Sequence, residues 1–373
     1  MPTSAYCSGG CTIKKAFLRY QEVRIAYVVS ALRHAGPVSV VMQLAKQMVE
    51  HGHECKVFYF DENIFEPLFP TEKIDGYRPI NFAHYDIVHA HGIRPNLYLT
   101  FYKPWFGKKT TFVTTVHCYI WEEFRVGFGR MAGSLFSLLF LASVRTLDKV
   151  VVLSNDAVGY YSRWVNAQKL TRCYNGIDMP QGRLSVMEEE QVQQFKAGHT
   201  LIGTCASLVK IKGVEQLIQA LAQLPDRFRL LVIGEGNLRL PLLRQCAELG
   251  ISKRVMFTGF VPEGHRYMSL MDVYVQTSLS EGFCLALTEA AMYGKKIVCA
   301  DIRGMKEKYA DDEITYYQSG RSDDLVQKIL QAEMEEEKPL RAKRKACEQF
   351  PSVSMYEAYH ALYLQLVQNK NRK

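Results

Sequence analysis

Short runs of β-branched and aromatic residues alternate along the chain with segments whose apolar residues recur every three or four positions. The first run is 23–30 (VRIAYVVS), and the apolar positions of 38–53 follow it at helical spacing. The alternation continues through further strand-like runs at 55–60, 85–92, 110–117 and 149–155. Strands that alternate with helices in this way predict a parallel, doubly wound sheet.

A second series of strands and helices begins at His199, after a polar segment. We therefore predict an α/β protein with two doubly wound, Rossmann-like domains that face a central cleft. The predicted parts are a first domain at 1–180 with 1–22 poorly ordered, a weakly structured linker at 181–198, a second domain at 199–351, and a helix at 352–373 that packs back on the first domain. Because open parallel sheets bind ligands at the carboxyl ends of their strands, this architecture favours a nucleotide-handling enzyme.

The composition narrows the class of protein. Of 373 residues, 48% are hydrophobic and 23% are charged, which is typical of a globular protein and excludes a disordered or coiled-coil chain. The longest apolar run without charge, Met131–Val144, is shorter than the about 20 residues that a membrane-spanning helix needs. The first twenty residues lack a secretory apolar core and the ten cysteines form no CxxC pair, so we expect a cytoplasmic chain with reduced thiols.

Two glutamates in the second half suit a sugar–diphosphate–ribose ligand. Glu281 follows a predicted strand, and Glu289 lies eight positions further on, a span of about 12 Å in a helix. Between them Gly282 permits a close approach of the backbone, and the amides at the start of the next helix form an anion site. Taken alone, the two acids are more often a helix-start acid and a surface charge.

Other phosphate and metal motifs are missing from the sequence. The segment GEGNLR at 234–239 lacks the third glycine of a dinucleotide fingerprint, and neither a P-loop nor a zinc motif is present. His89 and His91 have no nearby acid triad, so we interpret them as structural residues rather than as metal ligands.

The stretch SEGFCLALTEAA, which contains these two acids, resembles the E-x7-E motif of the retaining glycosyltransferases of family 4, which have the GT-B fold. Other segments follow in the order of that family: LVKIKGVEQLIQAL, VIGEGNLRLPL, VMFTGFVPE, DVYVQTSLSEGF and KIVCADIRGMKE, with weaker similarity in DIVHAHG, TTVHCY, VVLSN and YNGID. The resemblance covers nearly the whole chain and is strongest over 199–307. It implies the bacterial surface-polysaccharide type, with a nucleotide-sugar donor (UDP-sugar favoured, GDP-sugar possible) that gives a hexose or N-acetylhexosamine to a glycan or lipid-linked glycan acceptor.

The resemblance also assigns roles to residues of the second, donor-binding domain. Lys212 matches the lysine that faces the donor diphosphate, Glu281 the acid that contacts the transferred sugar, and Glu289 the acid that binds the ribose. A cation at the diphosphate stabilises the charge that develops on the leaving group. The remaining donor-binding positions are Gly259, Phe260 and Val261 around the base, and Gly282, Phe283, Cys284 and Leu285 in the phosphate-facing turn.

Three positions complete the predicted site. Ser207 stands where the family has an arginine, which leaves Lys210 or Arg303 as candidates for the second cation. In the first, acceptor-binding domain, Gly36 matches a glycine-rich loop over the reaction centre, and His117 matches the T-x-H histidine near the transferred sugar. The resemblance thus implies Glu281, Lys212 and His117 as catalytic residues.

A basic and aromatic segment favours contact with a membrane. Residues 94–145 carry seven Lys and Arg against two Glu, and the apolar run 131–144 lies within them. This combination is typical of a surface that binds anionic lipid, although a core helix beneath a basic loop has the same pattern. The predicted patch consists of Trp105, Lys108, Lys109, Trp121, Arg125 and Arg130, which places the chain on the inner face of the cytoplasmic membrane. No nucleic-acid-binding motif accompanies the charge.

The mechanism that the resemblance implies requires neither metal nor cofactor beyond the nucleotide-sugar. The sugar is transferred on its front face through an oxocarbenium-like state, and the leaving diphosphate helps to take the acceptor proton. Two alternatives remain: a GT-B UDP-sugar 2-epimerase, and a catalytically inactive GT-B binding module, which the change at Ser207 favours.

Overall fold

Parallel strands form the first domain of the computed structural model, which describes residues 22–104, 109–178 and 182–371. The expectation of disorder for 1–22 concerns residues that, except for Glu22, lie outside this range. The strands are β1 (Arg24–Val29), β2 (Glu54–Tyr59), β3 (Thr71–Lys73), β4 (Ile87–His91), β5 (Thr111–Thr115), β6 (Lys149–Val152) and β7 (Leu170–Arg172). They pair in the order β3-β2-β1-β4-β5-β6-β7, and all pairs are parallel.

Helices connect these strands and cover both faces of the sheet, which is why β1, β4 and β5 are apolar runs rather than alternating ones. They are α1 (Gly36–Glu50), α2 (Ile93–Tyr102), α3 (Ile120–Phe128), α4 (Arg130–Thr146) and α5 (Asn155–Tyr161). Within the described ranges, no helix has both the length and the apolar character needed to cross a bilayer.

The second domain repeats this plan. Its strands are β8 (Thr200–Cys205), β9 (Phe228–Ile233), β10 (Val255–Gly259), β11 (Val273–Gln276), β12 (Lys296–Ala300) and β13 (Thr315–Tyr317), in the parallel order β10-β9-β8-β11-β12-β13. Its helices are α6 (Val186–Lys196), α7 (Val214–Gln223), α8 (Arg239–Glu248), α9 (Leu285–Met292), α10 (Met305–Lys308), α11 (Ser322–Glu333) and α12 (Glu337–Gln349). The predicted fold class, two doubly wound α/β domains, is confirmed.

Helix α6 corrects the prediction that 181–198 is weakly structured. Its start is a capping box, in which the Ser185 hydroxyl accepts from the amide of Glu188 and the Glu188 carboxylate accepts from the amide of Ser185. Val192 is its buried residue and lies in the core of the second domain. A helix that buries so little shows hardly any apolar periodicity, so its sequence resembles that of a linker.

The C-terminal helix α13 (Ser352–Asn371) returns to the first domain. Its buried face places Tyr359 and Tyr363 in the same core as α1 and β1. Both hydroxyls are satisfied there: Tyr363 is 2.6 Å from Nδ1 of His89, and Tyr359 is 2.9 Å from Oγ1 of Thr115. The last helix of the chain thereby completes the polar centre of the first domain.

Glycine allows the two domains to touch where the turn after β11 meets the end of β5. A Cβ atom on Gly282 would lie 1.9 Å from the carbonyl oxygen of His117, and one on Gly304 would lie 2.7 Å from the hydroxyl of Tyr119. Side chains do not tolerate such distances, so both contacts require glycine. The close approach predicted at Gly282 is therefore an approach to the other domain.

We predict that Gly282→Ala separates the two domains without unfolding either one. The added methyl group displaces the His117 backbone, so the radius of gyration measured by small-angle scattering increases while the circular dichroism spectrum is unchanged. Gly159→Ala is the control, because a Cβ at that position meets nothing within 4 Å. Equal radii of gyration for the two variants would contradict this prediction.

Buried histidines make the first domain sensitive to acid. Burial lowers the pKa of His89 to about 3, and burial also lowers the pKa of His53 and of His117 to about 4. The unfolded chain therefore binds more protons than the folded domain between pH 6.5 and about 4. In that window each such histidine lowers the free energy of unfolding by about 1.4 kcal/mol per pH unit as the pH falls.

We predict that the first domain unfolds cooperatively between pH 6.5 and 4, and that His89→Gln moves the midpoint to lower pH. Tryptophan fluorescence reports this domain selectively, because all three tryptophans lie in residues 1–180. His84→Gln, at an exposed histidine of the same domain, is the control. A fluorescence signal that stays constant down to pH 4 would be inconsistent with the buried neutral histidines.

Candidate active site

A cavity of about 570 Å³ lies between the two domains, at the carboxyl ends of both sheets. Most of the predicted site residues line it: Gly36, His117, Ser207, Lys212, Glu281, Phe283, Cys284, Leu285 and Glu289. Each of three site residues follows the carboxyl end of a strand: His117 follows β5, Ser207 follows β8 and Glu281 follows β11. Residues more than 160 positions apart in the sequence therefore share one wall or face each other across the cavity.

Four predicted donor-binding residues do not line the cavity, namely Gly259, Phe260, Val261 and Gly282. Phe260 is 53% exposed, and its ring centroid lies 4.9 Å from that of His34, a residue of the first domain that does line the cavity. The loop that is predicted to bind the base thus lies at the rim of the cavity. Gly282 instead supports the turn through its contact with the first domain.

The centre of the cavity wall is an ion pair. The ammonium of Lys212, at the end of a short 3-10 turn (Lys210–Lys212), is 2.6 Å from Oε1 of Glu281. Only 26% of the Lys212 side chain and 11% of the Glu281 side chain are exposed. Burial disfavours the charge on Lys212, but the carboxylate of Glu281 outweighs it and raises the pKa of the lysine. Lys212 therefore remains a cation at neutral pH.

Two polar side chains that the sequence did not single out hold the carboxylate of Glu281. The hydroxyl of Ser278 donates to Oε1 at 2.7 Å, and Nε2 of Gln276 donates to the same oxygen at 3.1 Å. Because all of these donors converge on Oε1, the carboxyl group is fixed in orientation. Oε2 takes part in none of these bonds. In the sequence, this support is visible only as the polar residues Gln276 and Ser278 at the end of the apolar strand β11.

The segment that follows Glu281 is less helical than predicted. Helix α9 begins at Leu285, so only the second half of the interval between Glu281 and Glu289 is helical, and the 12 Å estimate does not apply. Cys284 precedes it with a φ of +58°, a left-handed conformation that residues with a side chain rarely adopt. This bend places the start of α9 at the part of the cavity that Cys284 and Leu285 line.

Glu289 lies on α9, is partly buried and lines the cavity. Burial raises the pKa of its carboxyl group to about 7, and the charge of Lys308 partly opposes that rise. The alternative interpretation, a surface charge, is therefore wrong. Such a carboxyl group gains most from a ligand that donates hydrogen bonds to its ionised form.

On the opposite wall, His117 belongs to a chain of buried polar groups. Its Nε2 is 2.8 Å from Nδ1 of His91, whose ring is packed against that of His89 with centroids 4.3 Å apart. His89 in turn bonds to Thr115 at 2.8 Å. This arrangement agrees with a structural role for His89 and His91. Across the described ranges, no group of three or more His, Cys, Asp and Glu side chains forms a potential metal site.

Glu123 also lines the cavity, although the sequence analysis did not assign it a role. It lies in the first turn of α3, and burial raises the pKa of its carboxyl group while the charge of Lys212 opposes that rise. The first domain thus contributes an acid that faces the Lys212–Glu281 pair. In the sequence, Glu123 is marked only by the acidic pair Glu122–Glu123, which comes shortly after the run predicted to form the strand 110–117.

Neither proposed substitute for the missing arginine lines the cavity. Lys210 is exposed, and Arg303 instead bonds at 3.3 Å to Asp156 of the first domain. Nearby, Glu307 accepts bonds from the amides of Asn155 and Asp156 at 2.7 and 2.9 Å. These two residues of the second domain therefore fasten the domains together rather than bind in the cavity.

The predicted membrane patch is only partly described. Trp105 and Lys108 lie outside the described residues, whereas Lys109, Arg125 and Arg130 are exposed. The guanidinium of Arg125 lies over the ring of Trp121 at 5.1 Å. Helix α4 turns a row of large apolar side chains toward solvent: Met131, Leu135, Phe136, Leu138 and Leu139. The run 131–144 is thus not a fully covered core helix.

Known proteins resemble this chain in both sequence and fold. It is 28% identical over 297 residues to the O-antigen biosynthesis glycosyltransferase WclY of Escherichia coli, covering 75% of this chain and 80% of that one. Over 226 residues, 59% of each protein, it is 28% identical to the N-acetylgalactosamine-N,N'-diacetylbacillosaminyl-diphospho-undecaprenol 4-alpha-N-acetylgalactosaminyltransferase of Campylobacter jejuni. The structure of Anabaena HepE in complex with UDP-glucose superposes with a TM-score of 0.80 at 20% identity, over 92% of this chain and all of that one.

Two family profiles divide the chain between them. The profile described as Glycosyltransferase Family 4 matches residues 35–180, and the profile described as Glycosyl transferases group 1 matches 186–349. Their boundary falls between the two sheets, and the second match begins at the first residue of α6. These matches favour a transferase over the epimerase and the inactive binding module. The chain is a glycosyltransferase with the GT-B fold and belongs to family 4.

Proposed function

We propose that this enzyme transfers a hexose or N-acetylhexosamine, with retention of configuration, from a UDP-sugar to a glycan or lipid-linked glycan during the synthesis of a bacterial surface polysaccharide. The observation that carries the proposal is the Lys212–Glu281 pair at 2.6 Å, in the same cavity as the partly buried Glu289. The names of the relatives support it: one acts in O-antigen biosynthesis, one on an undecaprenol diphosphate, and one structure holds UDP-glucose.

Each group on this wall matches one part of a nucleotide-sugar. Lys212 neutralises the diphosphate, and the carboxylate of Glu281 accepts hydrogen bonds from hydroxyl groups of the transferred sugar. The ionised form of Glu289 accepts from the ribose hydroxyls, which removes the cost of burying that carboxylate without a partner. The rim residue Phe260 offers an apolar surface to the base.

In the proposed reaction no protein carboxylate attacks the sugar and no metal ion is needed. The bond between the sugar and the diphosphate breaks first, and Lys212 stabilises the charge that develops on the departing phosphate. The acceptor hydroxyl approaches on the same face, and its proton passes to the leaving diphosphate. His117 and Glu123 of the first domain border the space for the acceptor, and contact between the domains keeps water away from the donor.

This proposal is tested with UDP-, GDP- and ADP-sugars and a lipid-linked acceptor in the presence of EDTA. Proton NMR of the product then reports the configuration at the new linkage. Transfer from a UDP-sugar with retained configuration and full activity in EDTA supports the proposal, and inversion or a need for a divalent metal contradicts it.

We predict that Lys212→Ala lowers kcat by about 100-fold and weakens UDP binding much less, because the lysine acts chiefly on charge that develops in the transition state. Steady-state kinetics and UDP titration give the two values. Lys210→Ala is the matched control, since Lys210 lies in the same turn but is exposed and does not line the cavity. A raised KM at unchanged kcat would assign Lys212 to ground-state binding instead.

We further propose that the exposed face of α3 and α4 binds the cytoplasmic membrane from its inner side. The exposed apolar row of α4 lies next to the cations Arg125 and Arg130. Together they combine the apolar contact and the attraction for anionic headgroups that interfacial binding requires. This face would bring the cavity to a lipid-linked acceptor.

We predict that charge reversal in this patch weakens sedimentation with anionic vesicles and leaves transfer to a short water-soluble acceptor intact. Each cation near such a surface contributes about 1 kcal/mol, and salt screens the attraction. The test variant carries Glu at Lys108, Lys109, Arg125 and Arg130, and the matched control carries Glu at Arg244, Lys253, Lys343 and Arg344 of the second domain. Wild-type binding that is absent or insensitive to salt would refute membrane contact.

A further inference from the structure

Lys308 is a buried lysine directly behind the phosphate-facing turn. It ends the short helix α10 and is 3% exposed. Its ammonium donates to the carbonyl oxygen of Phe283 at 2.6 Å and to that of Cys284 at 2.8 Å. It also lies 3.7 Å from the centre of the Phe283 ring. The hydrogen-bond acceptors of this cation are therefore main-chain carbonyls rather than carboxylates.

Because of the geometry of the peptide bond, these two hydrogen bonds also determine the direction of the amides on the other side of the turn. In a trans peptide the C=O and the N–H point in opposite directions. The carbonyl of Phe283 shares its peptide with the amide of Cys284, and the carbonyl of Cys284 shares its peptide with the amide of Leu285. Both amides therefore point away from Lys308. Cys284 and Leu285 line the cavity, so the amides face the place where an anion would bind.

The same contacts explain how the turn keeps an unfavourable backbone. Cys284 adopts its φ of +58° between the two carbonyls that Lys308 holds. A left-handed residue with a side chain persists only where its surroundings fix it. An apolar side chain of similar length could fill the volume of Lys308, but it could not hold the carbonyls.

We propose that Lys308 is a positioning residue of the donor site: it orients the amides of Cys284 and Leu285 and polarises their peptide groups so that they bind the donor diphosphate. This inference rests on the proposed function, since it takes a nucleoside diphosphate as the ligand of the turn. It also accounts for Ser207 at the position of the family arginine. Lys308 supplies the second positive charge of the site from behind the turn, and it acts on the donor through the two peptide groups that it polarises.

Titration of Lys308 gives the proposal a second, independent readout. Burial lowers the pKa of its ammonium to about 7, and the acidic groups that face Lys308 oppose this decrease in its pKa. Those groups are Glu281 and Cys284 in the turn, Glu289 on α9 and Cys299 on β12. A bound diphosphate favours the ammonium, so its binding takes up a proton, and the affinity for the diphosphate falls relative to that for uridine, which carries the same ribose, as the pH rises from 7 to 9. Glu289 acts with the opposite sign, because ribose favours its carboxylate.

Calorimetric titration of the full chain with UDP, GDP, ADP and uridine tests the role of Lys308. We expect Lys308→Met to weaken binding of the preferred nucleoside diphosphate by about tenfold while changing uridine affinity less than twofold. Lys308→Arg should recover part of the loss, because it restores a cation that donates to carbonyls. Lys306→Met is the matched control, since Lys306 lies on the same short helix but is exposed and paired with Asp301 at 3.2 Å.

The outcomes separate this inference from the proposed function. Equal losses for the diphosphate and for uridine, or no loss at all in Lys308→Met, overturn the positioning role and leave the donor proposal standing. If the wild type binds none of the three diphosphates, both fail. Should Lys308→Met not fold, the wild type decides: a ratio of diphosphate affinity to uridine affinity that is constant or rises between pH 7 and 9 overturns the inference.

Discussion

The contact between Gly282 and the carbonyl oxygen of His117 is the constraint on which the site depends. Because Gly282 has no side chain, the turn of the second domain lies directly against His117, which follows β5 of the first domain. This brings Glu281 and the histidine wall to the same cavity. Arg303 and Glu307 secure the arrangement by holding the start of α5. Close backbone packing at this point thereby helps to fix the cleft between the two domains, together with the apolar contacts of Leu153 with the core of the second domain.

Charge is distributed in this cavity so that few groups are left without a partner. Lys212 and Glu281 neutralise each other at 2.6 Å, and Ser278 fixes the orientation of the carboxylate. Glu289 is partly buried and Lys308 is buried, and burial moves the pKa of each to about 7, from opposite directions. In the proposed donor complex, the diphosphate and the ribose improve the surroundings of both groups. A site of this kind gains affinity from relief of buried charge as well as from new contacts.

The first domain contains a network of buried polar groups at its centre and a row of exposed apolar side chains at its surface. Tyrosines of α13 bond to His89 and Thr115 of the sheet, so this helix stabilises β5, the strand that leads to His117. Along α4, in contrast, large apolar side chains from Met131 to Leu139 face solvent. The inner polar network holds the cavity wall at His117 in place, and the outer apolar row is the surface proposed to bind the membrane.

The sequence by itself determined the α/β class, the two sheets and most cavity residues, because apolar runs of strand length mark buried parallel strands and the motifs around Glu281 and Lys212 are local. It did not reveal helix α6, which buries one residue, or the supports Gln276, Ser278 and Lys308, whose partners are chosen by packing. Lys308 is 24 and 25 residues from the carbonyls it binds. The tertiary structure alone decided that Arg303 joins the domains instead of binding the donor, because an arginine is committed by whichever carboxylate the folded chain brings within reach.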